Sequence, residues 1–156
     1  GDTPSCSIMD DFTGIDEIRP GNFVFYDAMQ YHLGSCKPEQ IAVSVACPVV
    51  SKNKERCELV IYGGAVHLSK DFITDKNNNR IYGLVAKSDT DEWGAIIPDT
   101  KIISVTQEHG IIRTNKTFFE STEIGDVVNV LPVHSCLCAN NFSKYFLTTG
   151  KWISKK

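Results

Sequence analysis

No apolar run among the 156 residues approaches the ~20 that a membrane-spanning helix needs, and this excludes a helical membrane protein. Excess basic charge is missing too: 16 Lys and Arg against 19 Asp and Glu give a net charge of −3. A nucleic-acid partner needs a clustered basic face, so none is expected. There is no internal repeat, no low-complexity tract and no internal linker, which excludes a solenoid or a disordered tail. The opening Gly1-Asp2-Thr3-Pro4 has neither the basic nor the apolar part of a secretory signal, and the expected location is cytoplasmic. On that expectation the two Asn-x-Ser/Thr triplets, at Asn115 and Asn141, carry no meaning.

An apolar fraction of 42% and a charged fraction of 22% describe an ordinary globular protein with enough residues for a real core. Such a core makes a disulfide framework unnecessary, so the six cysteines are expected to be reduced. Cys47, in an apolar run, reads as a small buried hydrophobe.

The pattern along the chain is that of short strands. Residues 1–21 are rich in turn formers and acids. Asn22 to Asp27 is an aromatic and β-branched run after Pro20-Gly21, expected to be a strand. Further strands are expected at Ile41 to Val50, Cys57 to Tyr62, Ile81 to Val85, Gly94 to Ile97, Lys101 to Thr106, Gly110 to Thr114 and Asp126 to Leu131. Pro48 marks an edge or bulge, and Asn115-Lys116 suits a hairpin turn. Asp75 to Arg80 reads as a surface loop, and Tyr145 to Leu147 with Lys151 to Ser154 as a closing hairpin. Short helices fit Ala65 to Lys70 and Ala139 to Lys144. Strands at this spacing indicate a mainly β domain, a barrel or sandwich.

Chemistry concentrates in Val133-His134-Ser135-Cys136-Leu137-Cys138. In an extended chain, alternate side chains share a face, so His134, Cys136 and a candidate third ligand, Cys138, would point together. Imidazole and thiolate suit zinc or a similar divalent ion, and two or three protein ligands leave a coordination position open.

Three segments together resemble a known family. Ile15 to Asp27 with Met29-Gln30, then Thr106-Gln107-Glu108-His109-Gly110, then Pro132-Val133-His134-Ser135-Cys136 look like segments of D-serine dehydratases and D-threonine aldolases, in order and in spacing. Those enzymes share the alanine racemase architecture: an amino-terminal (β/α)8 barrel carrying pyridoxal phosphate, then a carboxy-terminal β domain. The resemblance covers only the latter part. It implies that residues 1–21 are the remnant of the end of the barrel and residues 22–156 the β domain, with the Schiff-base lysine far upstream.

The same resemblance implies particular sites. Gly1-Asp2-Thr3-Pro4-Ser5 is similar to a loop near the barrel's end, and Arg19-Pro20-Gly21-Asn22 to the turn leading out of it, where backbone amides help hold the cofactor phosphate. Thr3, Gly21 and Asn22 are therefore the expected cofactor contacts, and His134 and Cys136 the expected metal ligands. A motif ending in cysteine leans toward β-elimination from a D-3-hydroxy amino acid, with a D-threonine aldolase or an amino acid racemase as the alternatives within the resemblance. Glu108 and His109 are either partners of that chemistry or a polar turn; Tyr26 and Asp27 are expected to face the cofactor, with a core aromatic as the other reading of Tyr26. Tyr62 stands where many relatives carry an acid, ahead of Gly64 and Ser69. The implied partners are a small D-amino acid, the chain's own barrel and, in the complete enzyme, a second copy. A β module that merely binds or scaffolds is the reading from another class.

Overall fold

The structure, a computed structural model, describes residues 2–89 and 93–155. In chain order it runs through α1 (Thr3–Ile8), a 3-10 turn (Asn22–Val24), α2 (Ala28–His32), a second 3-10 turn (Pro38–Gln40), β1 (Val45–Asn53) and β2 (Glu58–Tyr62). Next come α3 (Ala65–Leu68), β3 (Ile73–Thr74), β4 (Arg80–Ile81), β5 (Gly83–Ser88), β6 (Trp93–Val105), β7 (His109–Arg113) and α4 (Lys116–Ser121). The chain ends with β8 (Val127–Pro132), α5 (Ser135–Asn140), β9 (Lys144–Phe146) and β10 (Trp152–Ser154).

Strands β1-β2-β7-β6-β5-β8 close into an antiparallel barrel, as the strand pattern suggested. Alternation puts one side-chain row of each strand inside: Val45, Cys47 and Val49 from β1, Leu59 and Ile61 from β2, and Ile112 from β7. Val85, Ile102, Val128 and Val130 complete the lining. Burying one such aliphatic side chain contributes roughly 1.5–3 kcal/mol. Both ends are plugged by helices, Leu68 of α3 and Cys138 of α5 at one end and Phe119 of α4 at the other.

Four expectations are corrected. The run Asn22 to Asp27 is not a strand. Asp27 caps α2, its carboxylate accepting from the Gln30 N–H at 2.9 Å, and Tyr26 before it turns left-handed at φ 48°. A capping carboxylate outweighs the β preference of its aromatic neighbours. Asn115-Lys116 is no hairpin turn either, because the Asn115 side chain accepts from Phe118 N–H and starts α4. The two strands expected around Pro98-Asp99 are one long strand, β6, in which Asp99 at φ 54° marks a bulge rather than an end. The helix expected over Ala139 to Lys144 lies earlier, over Ser135–Asn140.

The loop at Asp75 and the closing hairpin β9–β10 are as expected. All six cysteines are free thiols. Among the described residues no helix is long and apolar enough to cross a membrane.

Candidate functional site

One rim of the barrel gathers the motifs. It is formed by the start of β1, the end of β2, the starts of β5 and β7 and the ends of β6 and β8. Gly63-Gly64 at the end of β2 lies against the β6–β7 turn: Gly63 N–H donates to Glu108 C=O at 2.9 Å and Ala65 N–H to Thr106 C=O at 2.9 Å. A Cβ on Gly64 would sit 2.5 Å from both the Glu108 carbonyl carbon and the His109 nitrogen. Only glycine permits that approach. The segments around Gly64 and Gly110 are thus one packed unit, although more than 40 residues of other structure separate them in the chain.

The chain then leaves α3 through Ser69, held at φ 75°, whose hydroxyl accepts from Asp71 N–H at 3.2 Å. This delivers Asp71 to His134, with Nδ1 of the imidazole 2.7 Å from the carboxylate. Both side chains are a little over 40% exposed. A neutral imidazole that gives Nδ1–H to a carboxylate keeps its Nε2 lone pair free, which is the tautomer a metal requires.

His134 is the last extended residue before α5, and Ser135, Cys136 and Cys138 lie on the helix. The arrangement of His134, Cys136 and Cys138 on one strand face is therefore corrected. Two helical residues apart means roughly 200° around the axis, so Cys136 and Cys138 diverge. Cys136 is exposed at the rim. Cys138 points into the barrel core, away from Cys136, and burial pushes its thiol up to about 12. Among the described residues no three His, Cys, Asp or Glu side chains form a ready-made cage. His134 and Cys136 supply a soft nitrogen and sulfur facing solvent, which fits an open site and not a closed structural one.

A second network reaches the same turn from the amino-terminal segment. Buried Asp27 accepts from Asn22 Nδ2 at 2.6 Å and from Ser135 N–H at 2.9 Å. Ser135 Oγ donates to Asn22 Oδ1, and the Cys136 thiol lies 3.8 Å from the same oxygen. Asn22 N–H donates to Thr3 Oγ1 at 3.0 Å. Thr3 and Asn22, expected to serve a phosphate, thus meet each other and adjoin the Ser135-Cys136 turn. The Asn22 N–H and the buried Thr3 hydroxyl are bonded to each other within the chain. A Cβ on Gly21 would meet nothing within 4 Å. The first residue of the expected loop, Gly1, lies outside the described residues.

Other candidates are placed as follows. His109 opens β7 and packs its ring edge-on against Tyr62 at 5.8 Å, while its backbone closes the turn with Thr106. Glu108 lies in the turn between β6 and β7. Tyr26 bonds Ser7 through its hydroxyl at 3.2 Å. His67 stands 4.9 Å from Tyr62 and receives the Gly64 N–H on Nδ1. Sequence reasoning missed Asp71 and Ser135. Nothing short-range marks Asp71, whose role comes from the fold bringing it 63 positions back to His134.

Comparison with known proteins now decides the relationship. Residues 42–148 match the family described as "Putative serine dehydratase domain". The chain belongs to this family. It is 36% identical to a D-serine dehydratase of Dictyostelium discoideum, covering 93% of this chain and 37% of that protein. It is 26% identical to a D-threo-3-hydroxyaspartate dehydratase of Delftia sp., covering 93% of this chain and 39% of that one. A solved alanine racemase-like protein from Idiomarina loihiensis superposes with a TM-score of 0.83 at 29% identity, over 97% of this chain and 41% of that one. Solved forms of the hydroxyaspartate dehydratase include a cysteine-to-alanine mutant in the metal-free form, with a TM-score of 0.81 at 25% identity. The chain spans about two fifths of the relatives it matches.

Proposed function

We propose that the protein is the carboxy-terminal, metal-bearing part of a pyridoxal-phosphate-dependent lyase that removes the hydroxyl from D-3-hydroxy amino acids such as D-serine. The observation that carries this reading is the His134 imidazole, fixed through Nδ1 by Asp71, on the same solvent-facing turn as the Cys136 thiol. The relatives support the reaction class, since the sequence matches are a D-serine dehydratase and a D-threo-3-hydroxyaspartate dehydratase. The hydroxyaspartate dehydratase was also solved with alanine in place of a histidine and of a cysteine two positions further on, the spacing of His134 and Cys136.

Pyridoxal phosphate, carried by the barrel with Thr3, Gly21 and Asn22 near its phosphate, would supply an electron sink for the substrate α-carbon, and a divalent ion held by His134 and Cys136 would supply a Lewis acid for the β-hydroxyl. This chain's own work is to hold and orient. Asp71 keeps the His134 ring in one tautomer, and the Cys136 thiol gives up its proton to become a ligand. Fewer than four protein ligands leave room for a substrate oxygen. The family motifs account for positions on one rim, where Thr3 and Asn22 adjoin the ligand turn, so cofactor and ion would serve one substrate.

The remaining three fifths of the relatives' length is the proposed partner, a lysine-bearing barrel seated against the amino-terminal segment. Ile8, Ile15, Ile18, Phe23 and Val24 there are all more than two fifths exposed, an apolar face that suits such a cover. The complete enzyme is proposed to pair as a homodimer.

The test joins the chain to such a barrel and supplies D-serine with and without a chelator. Pyruvate formation that chelation abolishes and zinc restores is the expected result. Glycine and acetaldehyde from D-threonine would make the enzyme an aldolase instead, and turnover indifferent to chelation would remove the ion from the mechanism.

A further inference from the structure

The turn that carries the two candidate ligands is held by a residue more than 100 positions away. Asp27 is 1% exposed and its carboxylate serves three donors: Asn22 Nδ2 at 2.6 Å, Gln30 N–H at 2.9 Å and Ser135 N–H at 2.9 Å. An ionised carboxylate only accepts, so Asn22 must turn its NH2 toward Asp27. That leaves Asn22 Oδ1 facing the other way, where it receives Ser135 Oγ and lies 3.8 Å from the Cys136 sulfur. We propose that Asp27 is a positioning residue for the metal ligands: by holding the Ser135 N–H and the orientation of the Asn22 amide, it fixes the turn on which His134 and Cys136 stand. This rests on the reading of those two side chains as ligands.

The arrangement does more than cap a helix. Capping α2 needs only the bond from Gln30 N–H, made by one carboxylate oxygen, Oδ1. The second oxygen, Oδ2, is given wholly to Asn22 and to Ser135, the residue between the two candidate ligands. Through Asn22 N–H the same network reaches Thr3 Oγ1 at 3.0 Å. One buried charge therefore ties the segment expected at the cofactor phosphate to the segment expected at the ion. An amide in place of the carboxylate would offer one acceptor for three donors and would present an NH2 to one of them, at a cost characteristic of a buried mispaired group.

The test is cobalt titration of the protein, because a thiolate-to-cobalt charge-transfer band reports the Cys136–metal bond without any turnover. Wild type should show the band, and Cys136→Ala should abolish it. Asp27→Asn and Asn22→Ala should weaken cobalt binding by about 10–100-fold, the usual effect of losing a group that orients a ligand. Asp75→Asn, which removes another turn-capping carboxylate away from the network, should leave cobalt affinity unchanged. Fluorescence or circular dichroism melts show which variants are folded, and Asn22→Ala decides if Asp27→Asn is not. If wild type gives the band and the folded variants bind cobalt as tightly, Asp27 does not position the ligands, while the ligand reading stands. If wild type gives no thiolate band, the ligand reading itself fails and this proposal with it.

Discussion

The two ends of the barrel are built from different materials. At the far end, charge and capping close the structure: Arg113 pairs with Glu58 at 2.8 Å, the Thr100 and Thr114 hydroxyls hydrogen-bond at 2.7 Å, and Lys52 lies over the Phe119 ring at 4.9 Å. In each of these contacts a side chain meets a side chain, and the α4 plug is started by Asn115, whose Oδ1 accepts the Phe118 N–H. At the motif-bearing end, backbone packs on backbone at Gly64, a non-glycine residue is held left-handed at Ser69, and a carboxylate is buried at Asp27. Left-handed non-glycine backbone and a buried carboxylate also occur at the far end, at Cys57, Asp99 and Glu58. There the carboxylate pairs with an arginine, whereas Asp27 is met by one side-chain amide and two backbone N–H groups, one of them on the ligand turn. The far end is built for stability, and the motif-bearing end for placing a few groups.

The largest effect that would break this contrast is at Gly64. Gly64→Ala forces a Cβ to 2.5 Å from two backbone atoms of the Glu108–His109 peptide, neither of which can rotate away. A loss of about 3 kcal/mol or more is expected, at the upper end of overpacking, read as a lowered denaturant midpoint. If Gly64→Ala melted like wild type, the two motif segments would not be packed as described.

At the far end, Asn115→Ala removes the acceptor for Phe118 N–H and the donor to Pro98 C=O. It should cost about 1 kcal/mol, as lost helix caps do. Metal affinity measured on the same variant should not change. A shift in affinity would show that the two ends are coupled through the core.

A smaller, pH-dependent effect belongs to Asp75. The Lys101 ammonium, then the Asn79 N–H, hold its carboxyl well below the usual carboxylate range. A carboxyl with a lowered folded-state pKa stabilises the fold above its unfolded value, and that contribution is lost as pH falls through the carboxylate range. Asp75→Asn should therefore lower the melting temperature slightly on the neutral plateau, where that contribution is present, and the two curves should converge as pH falls, leaving the variant a flatter acid limb.

What was legible in the sequence follows from range. The barrel strands were readable because inside-outside alternation is written locally, as in Val45, Cys47 and Val49. The His134 and Cys136 pair was readable as chemistry because two ligand types sit two residues apart. What holds that pair was not, since Asp71 and Asp27 reach it across 63 and 108 positions of chain. The strand expected for the motif failed for a related reason. The pattern Val133 to Cys138 alternates, but Asp27 captures Ser135 N–H and a helix begins there, sending Cys138 inward and leaving Cys136 outside.

Gly21 gives the smallest effect and the sharpest contrast with Gly64. Its backbone, at φ −85° and ψ −49°, suits any residue, and a Cβ there would touch nothing within 4 Å. Nothing inside this chain demands glycine at that place. Gly21→Ala should stabilise the protein by about 0.5 kcal/mol, because the unfolded chain loses conformational freedom while the folded one loses no contact. If the residue is glycine for the sake of a phosphate drawn close to the backbone, the same substitution in the barrel-joined enzyme should weaken pyridoxal phosphate binding, seen as a higher half-saturating concentration in its absorbance titration. A variant both more stable and poorer at binding would place the reason for this glycine outside the chain's own packing, whereas unchanged cofactor binding would leave Gly21 as a turn residue and no more.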